Sequence, residues 1–241
     1  MLLLGSGLVA LSVLLYALHY AVFQDATHIF IYGLGDLAFL PIEVLLVTVI
    51  VHELLDARQK RMLLSKLNML IGAFFSEAGT RLLAFISDSD PNLDAIRSHL
   101  IVETDWPAAE FEEVSRRLKA YEYRVEIDRI DLPALRDFLV GVRGFMTRLL
   151  ENPNLLEHET FTELLWAVFH LTEELDARED LGAVSGADAV HLQNDVSRAY
   201  GLLVREWLAY MRHLKDNYPY LFSLAIRTNP FDRQASVVVT S

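Results

Sequence analysis

The chain opens on two long apolar runs and then changes character. Leu2 to Phe23 carries no formally charged residue. A bilayer core takes roughly 20 helical residues to cross, so this run predicts a membrane-spanning helix. A signal peptide is the competing reading. It is disfavoured because no Lys or Arg precedes the run, which is also too long for the apolar part of a signal. A short polar break follows, Gln24 to His28. Ile29 to Val51 is then apolar apart from Asp36, Glu43 and Thr48. Unpaired backbone is costly in lipid, so both runs are read as helices, and the short break makes them an antiparallel hairpin.

Beyond Val51 the period becomes that of amphipathic helices. His52 to Leu67 has neither Pro nor Gly and continues the second helix. Leu67 to Ile86 is apolar enough to cross a membrane, but Glu77 and Arg81 lie four apart and are expected to pair on a helix. The reading preferred is a buried or interface-lying helix. Ser87 to Pro91 is a turn cluster. Five helices are expected after it. They run from about Asn92 to Val102, from Pro107 through Lys119, from Asp131 to Leu150, from His158 to Arg178 and from Asp188 to Lys215. Asp131 before Pro133 marks a helix start, and Asn152-Pro153 a break. No convincing strand pattern precedes Ser236, and Ser236 to Thr240 reads as a tail. The fold class expected is all-α: a two-helix transmembrane hairpin followed by a cytoplasmic helical bundle. The expected division is a hairpin over 1–53, a juxtamembrane helix over 54–86 and a cytoplasmic helical domain over 87–241.

Charge sets the orientation. Arg58, Lys60, Arg61 and Lys66 follow the second run, whereas the break between the runs has no Lys or Arg. Positive residues stay on the cytoplasmic side. This predicts a multi-pass protein of the cell (inner) membrane with both termini in the cytoplasm and a basic collar against lipid. Composition excludes several functions. The 33 acidic against 21 basic residues give a net charge of −12, which argues against a nucleic-acid partner. The absence of cysteine excludes disulfides, thiolate catalysis, Cys-ligated zinc and iron–sulfur clusters.

The candidate chemistry begins with Asp36 and Glu43. They are seven apart and fall nearly on one helix face, which Tyr32 shares. A charge at depth costs about 2.5–3.5 kcal/mol on insertion scales, so these acids must face protein or water, or be protonated. No Lys or Arg in either run can pair with them. Pro41 lies between them and removes a backbone donor, and Gly33 and Gly35 loosen the helix before it, so the outer half is expected to bend or unwind. Two readings stay open. In one the acids line a water-filled cation or proton path. In the other Asp36 caps a helix near the interface and Glu43 bonds a neighbouring helix. Gly33-x-Gly35-x-x-Ala38 has the spacing of a dinucleotide fingerprint, but no second strand follows it.

Small residues Ser6, Ala10, Ala17 and Ala21 lie close to one stripe of the first helix, a surface for close helix approach. This is either an oligomer seam or packing within the hairpin. The segment Tyr218-Pro219-Tyr220-Leu221-Phe222 through Phe231 is too apolar for a free tail. It either docks on a neighbouring copy, with Tyr218, Tyr220, Phe222 and Phe231 as contacts, or packs on its own bundle. On one predicted helix Glu163, His170 and Glu174 have near-aligned spacing, with His158 and Glu159 at its start. No Glu-x-x-His pair, His-Glu-x-x-His or phosphate loop occurs, so the expectation is a solvated acidic face, no metal and no cofactor. No catalytic constellation emerges, and an enzyme is not expected. The function expected is a cation-conducting homo-oligomer with a cytoplasmic regulatory bundle. The alternative is a non-conducting membrane-anchored scaffold or sensor that binds a protein partner through that domain. Membrane lipid and further copies of the chain are the expected partners.

Overall fold

The computed structural model describes residues 2–238, without the side chains of residues 2–4, 61–65 and 156. All described secondary structure is helical, with no strand among the described residues. The chain divides into two compact units, residues 1–61 and 62–241.

The first unit holds α1 (Leu2–Phe23) and the greater part of α2 (Ala26–Phe74). The polar break forms a tight turn. Gln24 takes a left-handed conformation (φ 50°) that ends α1, its N–H donating to the Tyr20 carbonyl at 2.9 Å. Asp25 caps α2, its Oδ1 accepting from the backbone N–H groups of Thr27 at 2.9 Å and His28 at 3.3 Å. Helix α2 continues without interruption past Gly33, Gly35 and Pro41. The expected unwinding is therefore not seen. One proline removes a single ladder bond, and intact turns on either side hold the helix. Among the described side chains from Gly5 to Lys60, only His19, Ile29 and Gly33 are not exposed.

The second unit has its own closed core. The end of α2 enters it through Leu67, Ile71 and Phe74, all buried. A π-helical turn, Phe75–Gly79, then joins α2 to α3 (Thr80–Ile86). Glu77 falls in this wider turn, and the expected Glu77–Arg81 pair does not form. Arg81 instead lies over the rings of Phe138 and Phe85, at 4.7 and 5.8 Å. The apolar stretch over 67–86 is thus a core element. Leu82, Leu83 and Ile86 are fully buried.

The helix expected from Asn92 to Val102 is shorter, α4 (Asp94–Arg97) with a 3-10 turn after it. The next four helices match the sequence signals closely. They are α5 (Ala108–Ala120), α6 (Leu132–Leu150), α7 (Glu159–Asp176) and α8 (Gly186–Asn217). Asp131 caps α6 by accepting from the Ala134 N–H at 3.0 Å. His158 caps α7, its Nδ1 accepting from the Phe161 N–H at 3.2 Å. A final helix, α9 (Pro219–Arg227), arises where only a proline-broken segment is expected, with Pro219 in its first turn. Helix α8 is the hub of the unit and packs against α3, α5, α7 and α9, while α6 packs on α7.

Candidate functional site

Tyr32, Asp36 and Glu43 are all exposed on α2. The side chains of Asp36 and Glu43 have no ion-pair or hydrogen-bond partner among the described residues. A cleft of about 490 Å³ between α1 and α2 has Ser12, Tyr16, His19, Tyr32 and Asp36 as its polar lining. Glu43 is not among the residues lining it. Ser6, Ala10, Ala17 and Ala21 are exposed along α1. Among the basic residues after Val51, Arg58, Lys60 and Lys66 are exposed, and the side chain of Arg61 lies outside the described residues.

The C-terminal aromatic segment packs on its own bundle at two of the four positions read as contacts to another copy. Phe231 is fully buried, with its ring 5.0 Å from that of Trp207 in an edge-on arrangement. Phe222 is buried as well. The segment is tied down by Asn229, whose Nδ2 donates to the Leu100 carbonyl at 2.8 Å and whose Oδ1 accepts from the Phe231 N–H at 3.0 Å. Arg97 adds a bond to the Phe231 carbonyl at 3.1 Å. Phe222 and Phe231 are therefore core residues with no surface to offer a neighbour. Tyr220 is exposed and Tyr218 half-buried.

A second group lies between α7 and α8. His170 and Glu174 are one turn apart on α7, and His191 and Asp195 are one turn apart on α8. The helices run antiparallel, so His170 meets Asp195 while Glu174 meets His191. One ligand atom from each of the four residues lies within 4.8 Å of the others. His170 Nε2 and His191 Nε2 are 3.4 and 3.3 Å from Asp195 Oδ2. The same nitrogens are 3.8 Å from Glu174 Oε1 and 3.6 Å from Glu174 Oε2. Arginines hold both carboxylates. Arg198 lies 2.6 Å from Asp195 Oδ1, and Arg178 lies 2.7 Å from Glu174 Oε2. The Arg178 hydrogen bond keeps Glu174 below the usual carboxylate range, against an opposing effect of burial. Asp188 anchors Arg178 in turn, at 2.6 Å.

From the sequence only the α7 half of this group is apparent, and the acids read beside it lie elsewhere. Glu163 is exposed, and His158 is spent on capping. The signal that points to the whole group is a repeated spacing, His-x-x-x-Glu at 170–174 and His-x-x-x-Asp at 191–195.

These observations define an all-helical protein in which an exposed apolar helical pair precedes a closed helical unit. Two family models match the chain on either side of the same boundary. The N-terminal helical domain of the MJ1433 family matches residues 1–55, and the C-terminal helical domain of the uncharacterized protein MJ1433 matches residues 63–227. The chain is 46% identical over 238 residues to the uncharacterized protein MJ1433 of Methanocaldococcus jannaschii, covering 99% of this chain and 96% of that protein. It belongs to the MJ1433 family. No solved structure matches it significantly.

Proposed function

We propose that this is an integral membrane protein whose hairpin assembles with further copies into a cation-conducting homo-oligomer, its helical domain lying in the cytoplasm. The observation that carries the reading is the pair Asp36 and Glu43, exposed on an apolar helix with no partner among the described residues. Gly5–Phe23 and Ala26–Lys60 are long and apolar enough to cross a membrane and are 0% buried, whereas the third such window, Lys66–Ser89, is 44% buried. Exposed apolar surface on this scale favours lipid or further protein over water. Two carboxylates on one face cannot be turned to hydrocarbon at small cost. A symmetric assembly houses them around an axis, where a ring of carboxylates selects cations by charge. The basic residues Arg58, Lys60, Arg61 and Lys66 favour the cytoplasmic side for the rest of the chain.

The test is cation flux into liposomes reconstituted with the full chain. Wild type is expected to conduct, and Glu43→Gln to lose most of the flux or its selectivity over anions. Tight wild-type liposomes, or flux that Glu43→Gln leaves unchanged, would sink the proposal. Tight liposomes would favour the second reading, a non-conducting membrane-anchored scaffold or sensor with a protein partner. Trp166 and Tyr220 favour that reading: they are 56% and 72% exposed on the helical unit.

A further inference from the structure

We propose that His170, Glu174, His191 and Asp195 form a binding site for a divalent transition-metal ion, with zinc as the ion that fits best. The argument starts from Asp195. Its side chain is 2% exposed, and its Oδ2 is a buried oxygen with no hydrogen-bond partner among the described residues. A buried carboxylate oxygen without a partner is costly, so something of positive charge or donor character belongs there. The two atoms nearest it in the group are His170 Nε2 and His191 Nε2. Both rings place a nitrogen within 3.4 Å of that oxygen.

The spacing is that of a coordination sphere. A tetrahedral zinc ion with bonds of about 2.0–2.1 Å holds its ligand atoms about 3.3 Å apart. The two histidine-to-Asp195 separations, 3.4 and 3.3 Å, agree with this. Those to Glu174, 3.8 Å to Oε1 and 3.6 Å to Oε2, are longer and involve both oxygens, so one oxygen must shift toward the group to complete it. The donor set is two imidazole nitrogens and two carboxylate oxygens. It suits zinc and its neighbours, and it disfavours magnesium and calcium, which take oxygen ligands. Asp195 divides its oxygens between the group and an arginine, giving Oδ1 to Arg198, while Glu174 meets His170 through Oε1 and binds Arg178 through Oε2, the oxygen that also faces His191. Such outer partners fix ligand orientation in metal sites. Four protein ligands would complete the sphere, as in structural rather than hydrolytic sites. The ion would clamp α7 to α8. His170 and His191 are about half exposed, so it has access from solvent.

The experiment uses the full chain in detergent, freed of metal with a chelator, and zinc chloride titrated by calorimetry. Cobalt(II) absorption serves as a geometric probe. One zinc per chain is expected, with a rise in melting temperature and a tetrahedral cobalt spectrum. Excess magnesium should not compete. His191→Ala changes a half-exposed side chain and is expected to fold normally. It should weaken zinc binding by more than the about 10–100-fold that loss of an outer partner costs, and abolish the melting shift. Arg198→Gln should fall within that range. No zinc uptake by folded wild type, or zinc affinity and melting shift unchanged in both His191→Ala and His170→Ala, would overturn the site. The result is independent of whether the hairpin conducts.

Discussion

At the scale of single residues, space rather than type decides what a glycine is for. Gly79 closes the π-helical turn. A Cβ there would lie 2.6 Å from Phe75 Cδ1 and 2.7 Å from Phe74 Cε1. Both rings are fully buried and cannot swing away. Gly79→Ala is expected to cost about 1–3 kcal/mol by overpacking, despite alanine's better helix propensity. Gly72 is the control. Its nearest neighbour would be Tyr210 Cε2 at 3.6 Å, an ordinary contact. Gly72→Ala should stabilise by up to about 1 kcal/mol. Urea unfolding of the two variants in detergent checks both signs, and equal shifts in one direction would refute the packing argument. Nothing in the local sequence separates these two glycines. The difference comes from aromatic rings that the fold brings over one and not over the other.

At the scale of elements, the ends of α5 to α8 were legible because their signals are local. Asp131 caps the helix it precedes, and Asn152-Pro153 ends it. Such signals act within one turn and need no tertiary partner. Two elements were not legible. The π-helical turn depends on how Phe74 and Phe75 pack, and α9 begins in a segment whose prolines and aromatics suggest a break. Docking that segment on its own bundle has a measurable consequence. Phe231→Ala leaves a cavity beside Trp207 and is expected to cost about 3–5 kcal/mol. Subunit number, measured by light scattering in detergent, should not change. A variant with unaltered stability and fewer subunits would return Phe231 to an interface.

At the scale of the whole molecule, the two units differ in what they need. Every buried side chain among the described residues lies at Leu67 or beyond. The second unit therefore carries its own core, as an independent domain does. A chain of residues 62–241 is expected to be soluble, strongly helical by circular dichroism and cooperative in thermal melting. A molten or aggregated product would mean that the unit needs the preceding helices. The first unit has almost no interior among its described residues, and under the proposed reading lipid or further copies cover it.

What the sequence determined by itself is the content of short windows: two apolar runs, the polar break between them, the basic residues after Val51, and the caps and prolines that bound α5 to α8. These are set by interactions within a few residues of each other, so a linear pattern carries them. The tertiary structure alone decided which residues meet. It buried the stretch over 67–86, took Phe222 and Phe231 into the core, and set His191 and Asp195 opposite His170 and Glu174. That last juxtaposition depends on the antiparallel register of α7 and α8. Leu164, Val168 and Leu171 of α7 and Leu192, Val196 and Ala199 of α8 all lie in one core, where α7 packs on α8. A periodic pattern says that a helix has an apolar face. The complementary shape of the other face decides where along it the partner rests.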